Sequence, residues 1–201
     1  LRGYDWEDFV GEEGLTPADL QWAKFPSDEE IDRVGVRGIF LGVYLYWDGN
    51  AHARDMEEFG FRVNEESFER TYRRTSNVDD IHENGIKDWM KFVKFGYGRC
   101  TDHTSKDIRL GLMTREEGIA LVRQYDHVLP RKSLDYYLAM IGMKEDEFFL
   151  IADTFHDPRV WWIQNGEWWK DNIWGEPSSY GPVLLPQSAW GPYTKKQALA
   201  V

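Results

Sequence analysis

Along most of the chain, apolar residues recur at helical rather than strand spacing. Ile81, Ile86, Trp89, Met90 and Val93 share one side of a helix predicted from Asp79 to Lys94, with Lys87, Lys91 and Lys94 on other faces. Asp79 and Asp80 suit its positive N-terminal end. Ile119, Val122 and Tyr125 mark the face of another helix. Leu134, Tyr137, Leu138 and Ile141 then recur at i, i+3, i+4 and i+7, as do Phe148, Ile151, Ala152 and Phe155, with Pro130 starting and Gly142 ending the first of these two helices. Shorter helices are signed by Thr16-Pro17, by the capping-box spacing of Ser27 and Glu30, and by Asp48, which suits the cap of a helix through Phe59. The predicted core includes Trp89, Ile119, Leu138 and Phe148.

Three stretches break the helical period. VRGIFLGVYLY, Val36 to Tyr46, is apolar, β-branched and aromatic, and reads as a strand buried on both faces over Gly38 to Tyr46. Such a strand exposes unpaired edges, so it is expected to pair with another chain or lie under a covering helix. Trp161-Trp162-Ile163-Gln164 and Glu167-Trp168-Trp169-Lys170 flank Asn165-Gly166, a hairpin signal, and alternation sends one tryptophan of each pair inward. Gly175 to Val201 is rich in Pro, Gly and Ser and is expected to be extended, docked on the surface or disordered. Arg70 to Asn77 is polar and supports no assignment. The expected class is therefore mainly α with one buried strand and a short hairpin, organised as residues 1–174 followed by a tail, 175–201.

Lys94 to Tyr125 concentrates backbone-special and ionisable residues between two helical patterns. Gly96 and Gly98 sit where a helix closes. Thr101 or Asp102 suits the cap of a short helix to Arg109, and Thr114 with Glu117 forms a T-x-x-E capping box for the next. These boundaries are expected to hold Arg99, Asp102, His103, Asp107, Arg109, Arg115 and Glu116 near one another.

Composition sharpens the picture. With 42% hydrophobic and 15% aromatic residues, 201 residues suffice for a core. The net charge of −11 is uneven: Leu1 to Asp32 holds ten acidic residues against Arg2 and Lys24, while Ile86 to Lys132 holds ten basic and six acidic ones. A basic middle in an acidic protein suits an anionic ligand, and the overall sign disfavours general nucleic-acid binding. The single cysteine, Cys100, excludes an internal disulfide framework and fits a reducing compartment. No apolar run approaches the ~20 residues of a membrane span. A cytoplasmic location is expected.

FGYGRCTDHTSKDIRLGLMTREEG, from Phe95 to Gly118, together with EFFLIADTFHDPRVW, from Glu147 to Trp161, resembles the C-terminal half of the N-acetyl sugar amidotransferases of lipopolysaccharide and O-antigen biosynthesis, which are PP-loop enzymes. The resemblance runs from about Gly14 to Trp174. It implies the helical C-terminal portion of a PP-loop α/β enzyme. The implied reaction is ATP-dependent conversion of an acetamido group of a nucleotide-linked sugar to an acetamidino group. ATP would adenylate the amide oxygen, and AMP would leave as ammonia adds. The implied partners are a PP-loop N-terminal half, in the same or a separate chain, a glutaminase and an ammonia-channelling barrel subunit. The sequence holds no S-G-G-x-D-S loop and no Gly-Gly pair, so ATP and Mg are expected on that other half, and the chain reads as a fragment or one subunit of a split enzyme.

Within this frame, Arg99, Arg109 and Arg115 are candidate substrate contacts, because guanidinium forks hold phosphates and carboxylates bidentately. Ion pairing with Asp102, Asp107 or Glu116 is the alternative use. Asp102 and His103 are candidate catalytic groups that would position the acetamido group or accept a proton, with a helix cap the alternative for Asp102. Trp47 and Asp48 at the strand end, and Gly96 and Gly98, complete the candidate substrate wall. Cys100-x-x-His103 lacks the further ligands of a structural zinc site, so no metal is expected, and Cys100 reads as a packing residue. A second hypothesis is a non-catalytic helical docking module for the glutaminase or barrel subunit, and a third, weaker one is a lectin-like binder.

Overall fold

The computed structural model describes residues 4–75 and 81–194, the side chains of Ile81 and Glu83 excepted. The chain divides into two units, Leu1–Gly49 and Asn50–Val201. In the first, the helix α1 (Asp28–Val34) begins at Ser27, whose hydroxyl takes the amide of Glu30 while the Glu30 carboxylate takes the amide of Ser27, the predicted reciprocal cap. Gly35, at φ 74°, closes it. None of the described residues of this unit is buried.

Here one expectation is overturned. Residues 38–46 form no strand; Leu41–Val43 is a single 3₁₀ turn closed by bonds such as Val43 N–H to the Phe40 carbonyl at 3.0 Å. The apolar side chains from Val36 to Trp47 are 52–87% exposed. A strand draws its hydrogen bonds from neighbouring strands, and without one the backbone bonds to itself locally. Among the described residues of this unit, neither a partner strand nor a covering helix buries the segment.

The second unit opens with α2 (Gly49–Glu57), whose first residue lies at the boundary. It continues through α3 (Ile81–Phe95), α4 (Arg99–Arg109), α5 (Arg115–Tyr125), α6 (Arg131–Ile141) and α7 (Glu145–Asp153). The predicted start of α3 at Asp79 lies outside the described residues. The α5 capping box at Thr114 and Glu117 forms, and Gly142 closes α6 at φ 67°. Strands β1 (Trp161–Gln164) and β2 (Glu167–Lys170) form the predicted hairpin, with both Asn165 and Gly166 at positive φ. Trp161 and Trp168 are buried while Trp162 and Trp169 are half-buried, as alternation requires.

A third strand, β3 (Ser178–Pro182), pairs antiparallel with β2 across an irregularity at Glu167/Trp169. A three-stranded sheet from this chain alone corrects the expectation of a bare hairpin. The segment after Gly175 is likewise more integrated than its composition indicates, because Tyr193 is buried and donates its hydroxyl to the His156 carbonyl at 2.9 Å.

The core has two centres, both fed by α3. Ile86 packs with Leu134, Leu138 and Phe148 beside Trp89, whereas Phe92 packs with Trp161, Trp168 and Tyr193. Close approach of α3 to α6 depends on Gly85: a Cβ there would lie 2.7 Å from Cβ of Ser133 and closer still to its Oγ. Gly85→Ala is expected to destabilise by ~1–3 kcal/mol through overpacking, although alanine favours a helix by ~1 kcal/mol. A thermal melt checks this; a rise in melting temperature would contradict the close contact.

Candidate functional site

The start of α4 is held from a distance. Buried Asp126, just after α5, accepts the amides of Gly98 at 2.8 Å and Thr101 at 3.1 Å and the Thr101 hydroxyl at 2.6 Å. It thus supplies the cap expected of Thr101 or Asp102, and the helix begins at Arg99, before either of them. Gly98 is needed for space: its backbone is extended, and a Cβ would lie 2.6 Å from Nη2 of Arg70 and 3.1 Å from Oδ1 of Asp126. Arg70, itself buried, donates to the carbonyls of Asp126 and Val128. Burial pulls its guanidinium down to about 10, while Asp126 and Asp88 favour the charge. Gly96 closes α3 at φ 74°, against Val160 and Lys170.

Arg99 is thereby placed on the wall of a cavity of about 420 Å³ framed by residues 64–71, the first turns of α3 and the start of α6. Its Nε donates to Asp88 at 2.7 Å, and its two Nη groups make no hydrogen bond to described residues. Thr71, Lys132 and Ser133 also line the cavity, together with Arg70 and the carboxylates of Glu65, Glu66, Glu69 and Asp88. Glu69 holds the α6 end in place by accepting the Lys132 and Ser133 amides at 3.2 and 3.4 Å.

The other candidates are dispersed. Asp102 pairs with Lys91 at 2.6 Å. His103 is buried, shares a 2.8 Å hydrogen bond between its Nδ1 and the Thr71 hydroxyl, and is pushed down to about 3 by burial and by Arg73 and Arg99, so it is neutral at physiological pH. Neither lines this cavity. Asp107 instead gathers Asn50, Tyr72 and Arg73. Arg109 and Arg115 are exposed at opposite helix ends, away from the cavity wall. Trp47 and Asp48 belong to the first unit, Trp47 exposed and Asp48 half-buried. Cys100 is fully buried and its thiol is pushed up to about 12, which fits the packing role. Arg70, Thr71, Asp88 and Asp126 escaped the sequence reading. Arg70 and Thr71 lie in an aperiodic stretch, and no spacing ties Asp126 to residues 25–28 positions earlier.

The second unit is helical and closed by a small antiparallel sheet, and it holds a polar cavity lined by two arginines, a lysine, three hydroxyl side chains and four carboxylates. Residues 56–173 match the family model described as LPS biosynthesis protein WbpG-like, C-terminal domain. The chain belongs to this family, and its role lies in lipopolysaccharide biosynthesis. No curated protein matches the sequence. Among the described residues no helix is long and apolar enough to cross a membrane.

Proposed function

We propose that the chain is the sugar-recognition part of an ATP-dependent amidotransferase that converts an acetamido group of a nucleotide-linked N-acetyl sugar to an acetamidino group. It would act in the cytoplasm, with a PP-loop half, a glutaminase and an ammonia-channelling barrel as partners. The observation that carries this reading is Arg99, inside the family-matched segment, on the wall of a cavity of sugar size, its Nη fork without a hydrogen bond among the described residues. ATP and Mg are assigned to the PP-loop half. Asp126 already fills the N-terminus of α4, and among the described residues no three His, Cys, Asp or Glu side chains converge as metal ligands. The open segment around residues 38–46 withdraws one support from the half-enzyme reading, which now rests on the family and the cavity.

Arg99→Ala is expected to weaken binding of a UDP-N-acetyl sugar by ~1.5–3 kcal/mol, the range for a hydrogen bond to a charged group. Arg99→Lys should be nearly as harmful, since a point charge cannot reproduce a bidentate fork. Calorimetry beside thermal melts tests both. If Arg99 serves only Asp88, the variants melt earlier and the folded protein keeps its sugar affinity, which would refute the ligand role.

A second reading, a docking module, is favoured by Trp22 and Phe25, each 90% exposed within the acidic first unit. Binding of a glutaminase or barrel subunit with no binding of any nucleotide sugar would favour it over the first.

A further inference from the structure

A second cavity, about 680 Å³, lies between α3, α5, α7 and the sheet, walled by Trp89, Phe92, Phe149, Trp168, Trp174 and Tyr180. It neighbours the first, because the Arg70 guanidinium carbon sits 5.9 Å from the Phe92 ring centroid. Its inner carboxylate and imidazole are committed, and only the Trp161 indole N–H among the buried lining groups has no partner among the described residues. Asp153 accepts the Trp168 indole N–H at 2.8 Å and the amides of Leu184 and Leu185, and His156 donates Nδ1–H to the Asp153 carbonyl while stacking on Trp168 at 3.9 Å. Arg123, on the last turn of α5, is different: it is exposed, lies 5.5 Å over the Trp174 ring and makes no ion pair with a described residue. His127 stands against Tyr180, ring centroids 6.0 Å apart.

These features select among ligands. A pyranose carries hydroxyls around its whole rim, and a cavity that offers a single free inner donor would leave most of them desolvated and unpaired. A planar heterocycle presents two π faces that stack on aromatic walls and only a few polar edge atoms. Trp161, which lines the same cavity, has a buried indole N–H with no acceptor among the described residues, and a ring carbonyl is an acceptor of the kind it lacks. The unpaired Arg123 suits an anion attached to that ring.

We propose that the aromatic cavity binds the base of a nucleoside diphosphate, with the diphosphate on Arg123. The proposal deepens the nucleotide-sugar reading by giving the nucleotide a site of its own, and UDP alone tests it without involving the sugar.

With the full 201-residue chain, tryptophan fluorescence and calorimetry are followed during titration with UDP, pyrophosphate and N-acetylglucosamine 1-phosphate. UDP should bind and quench, and the two ligands without a base should bind at least about tenfold more weakly. Trp174→Ala and Arg123→Gln should each raise the UDP Kd about tenfold. Arg123 is exposed, so its variant separates lost binding from lost fold, and melts confirm this. Equal binding of N-acetylglucosamine 1-phosphate, or a UDP Kd insensitive to both cavity variants, overturns the proposal. UDP binding lost in Arg99→Ala alone overturns it too, yet leaves the amidotransferase reading standing. Conversely, the expected UDP results with no added affinity from the sugar uphold this site and refute the sugar cavity.

Discussion

Asp126→Ala is expected to lower the melting temperature by between about 6 and 20 °C. The carboxylate accepts three hydrogen bonds at the start of α4, and those donors have no other described partner. Its charge also faces the buried Arg70 guanidinium, whose ionisation Asp126 supports more than any other group. Removing one member of such a buried arrangement strands the other, at a loss of ~3–5 kcal/mol. A domain of this size moves ~2–4 °C per kcal/mol, which gives the range above. Asp126→Asn keeps an acceptor of similar shape but drops the charge, so it should fall between wild type and alanine. The comparison matters for function, because Arg99 follows directly on the backbone that Asp126 ties down. An alanine variant that melts within about 2 °C of wild type would show that the cap and the Arg70 environment contribute little.

What the sequence made legible follows the reach of each interaction. Capping boxes at Ser27 and Thr114, the positive-φ turn at Asn165-Gly166 and the closing Gly142 are decided within a few residues, and all four form. Failures appear where a distant partner decides. VRGIFLGVYLY has strand chemistry, yet without a neighbouring strand it coils into a 3₁₀ turn. Ser178 to Pro182 has little strand character and becomes one because the β2 edge is there to pair with. The site divides the same way. Arg99 was legible as an arginine in a backbone-special segment, but its partner Asp88 and its neighbours Arg70 and Thr71 converge only through tertiary packing. Asp102 and His103 are neighbours on α4, where consecutive residues diverge by about 100°, and one meets Lys91 while the other turns into the core.

Acid should unfold the second unit well before most carboxylates are protonated. Two histidines are buried and neutral: His103 is pushed down to about 3 and His156 to about 4, each chiefly by burial. For a histidine depressed in the folded state, the unfolded chain binds the proton first. Stability is therefore full above the unfolded value near 6.5 and is lost as pH falls towards the folded value. At ~1.4 kcal/mol per pH unit and group, the two imidazoles together withdraw ~5 kcal/mol between about pH 6.5 and 4.5, comparable with the whole stability of a small domain. Asp153, 3.8 Å from His156, acts in the opposite sense, because burial raises its carboxyl and protonating it relieves the folded state. Urea unfolding at pH 7, 6, 5 and 4.5 should show a slope approaching two protons taken up on unfolding. His156→Phe keeps a ring to stack on Trp168 and should remove about one proton from that slope, whatever its effect at pH 7. Stability that stays flat from pH 7 to 4.5 in the wild-type protein would mean that these imidazoles are not held neutral, and the buried His103–Thr71 contact beneath the Arg99 cavity would have to be abandoned with them.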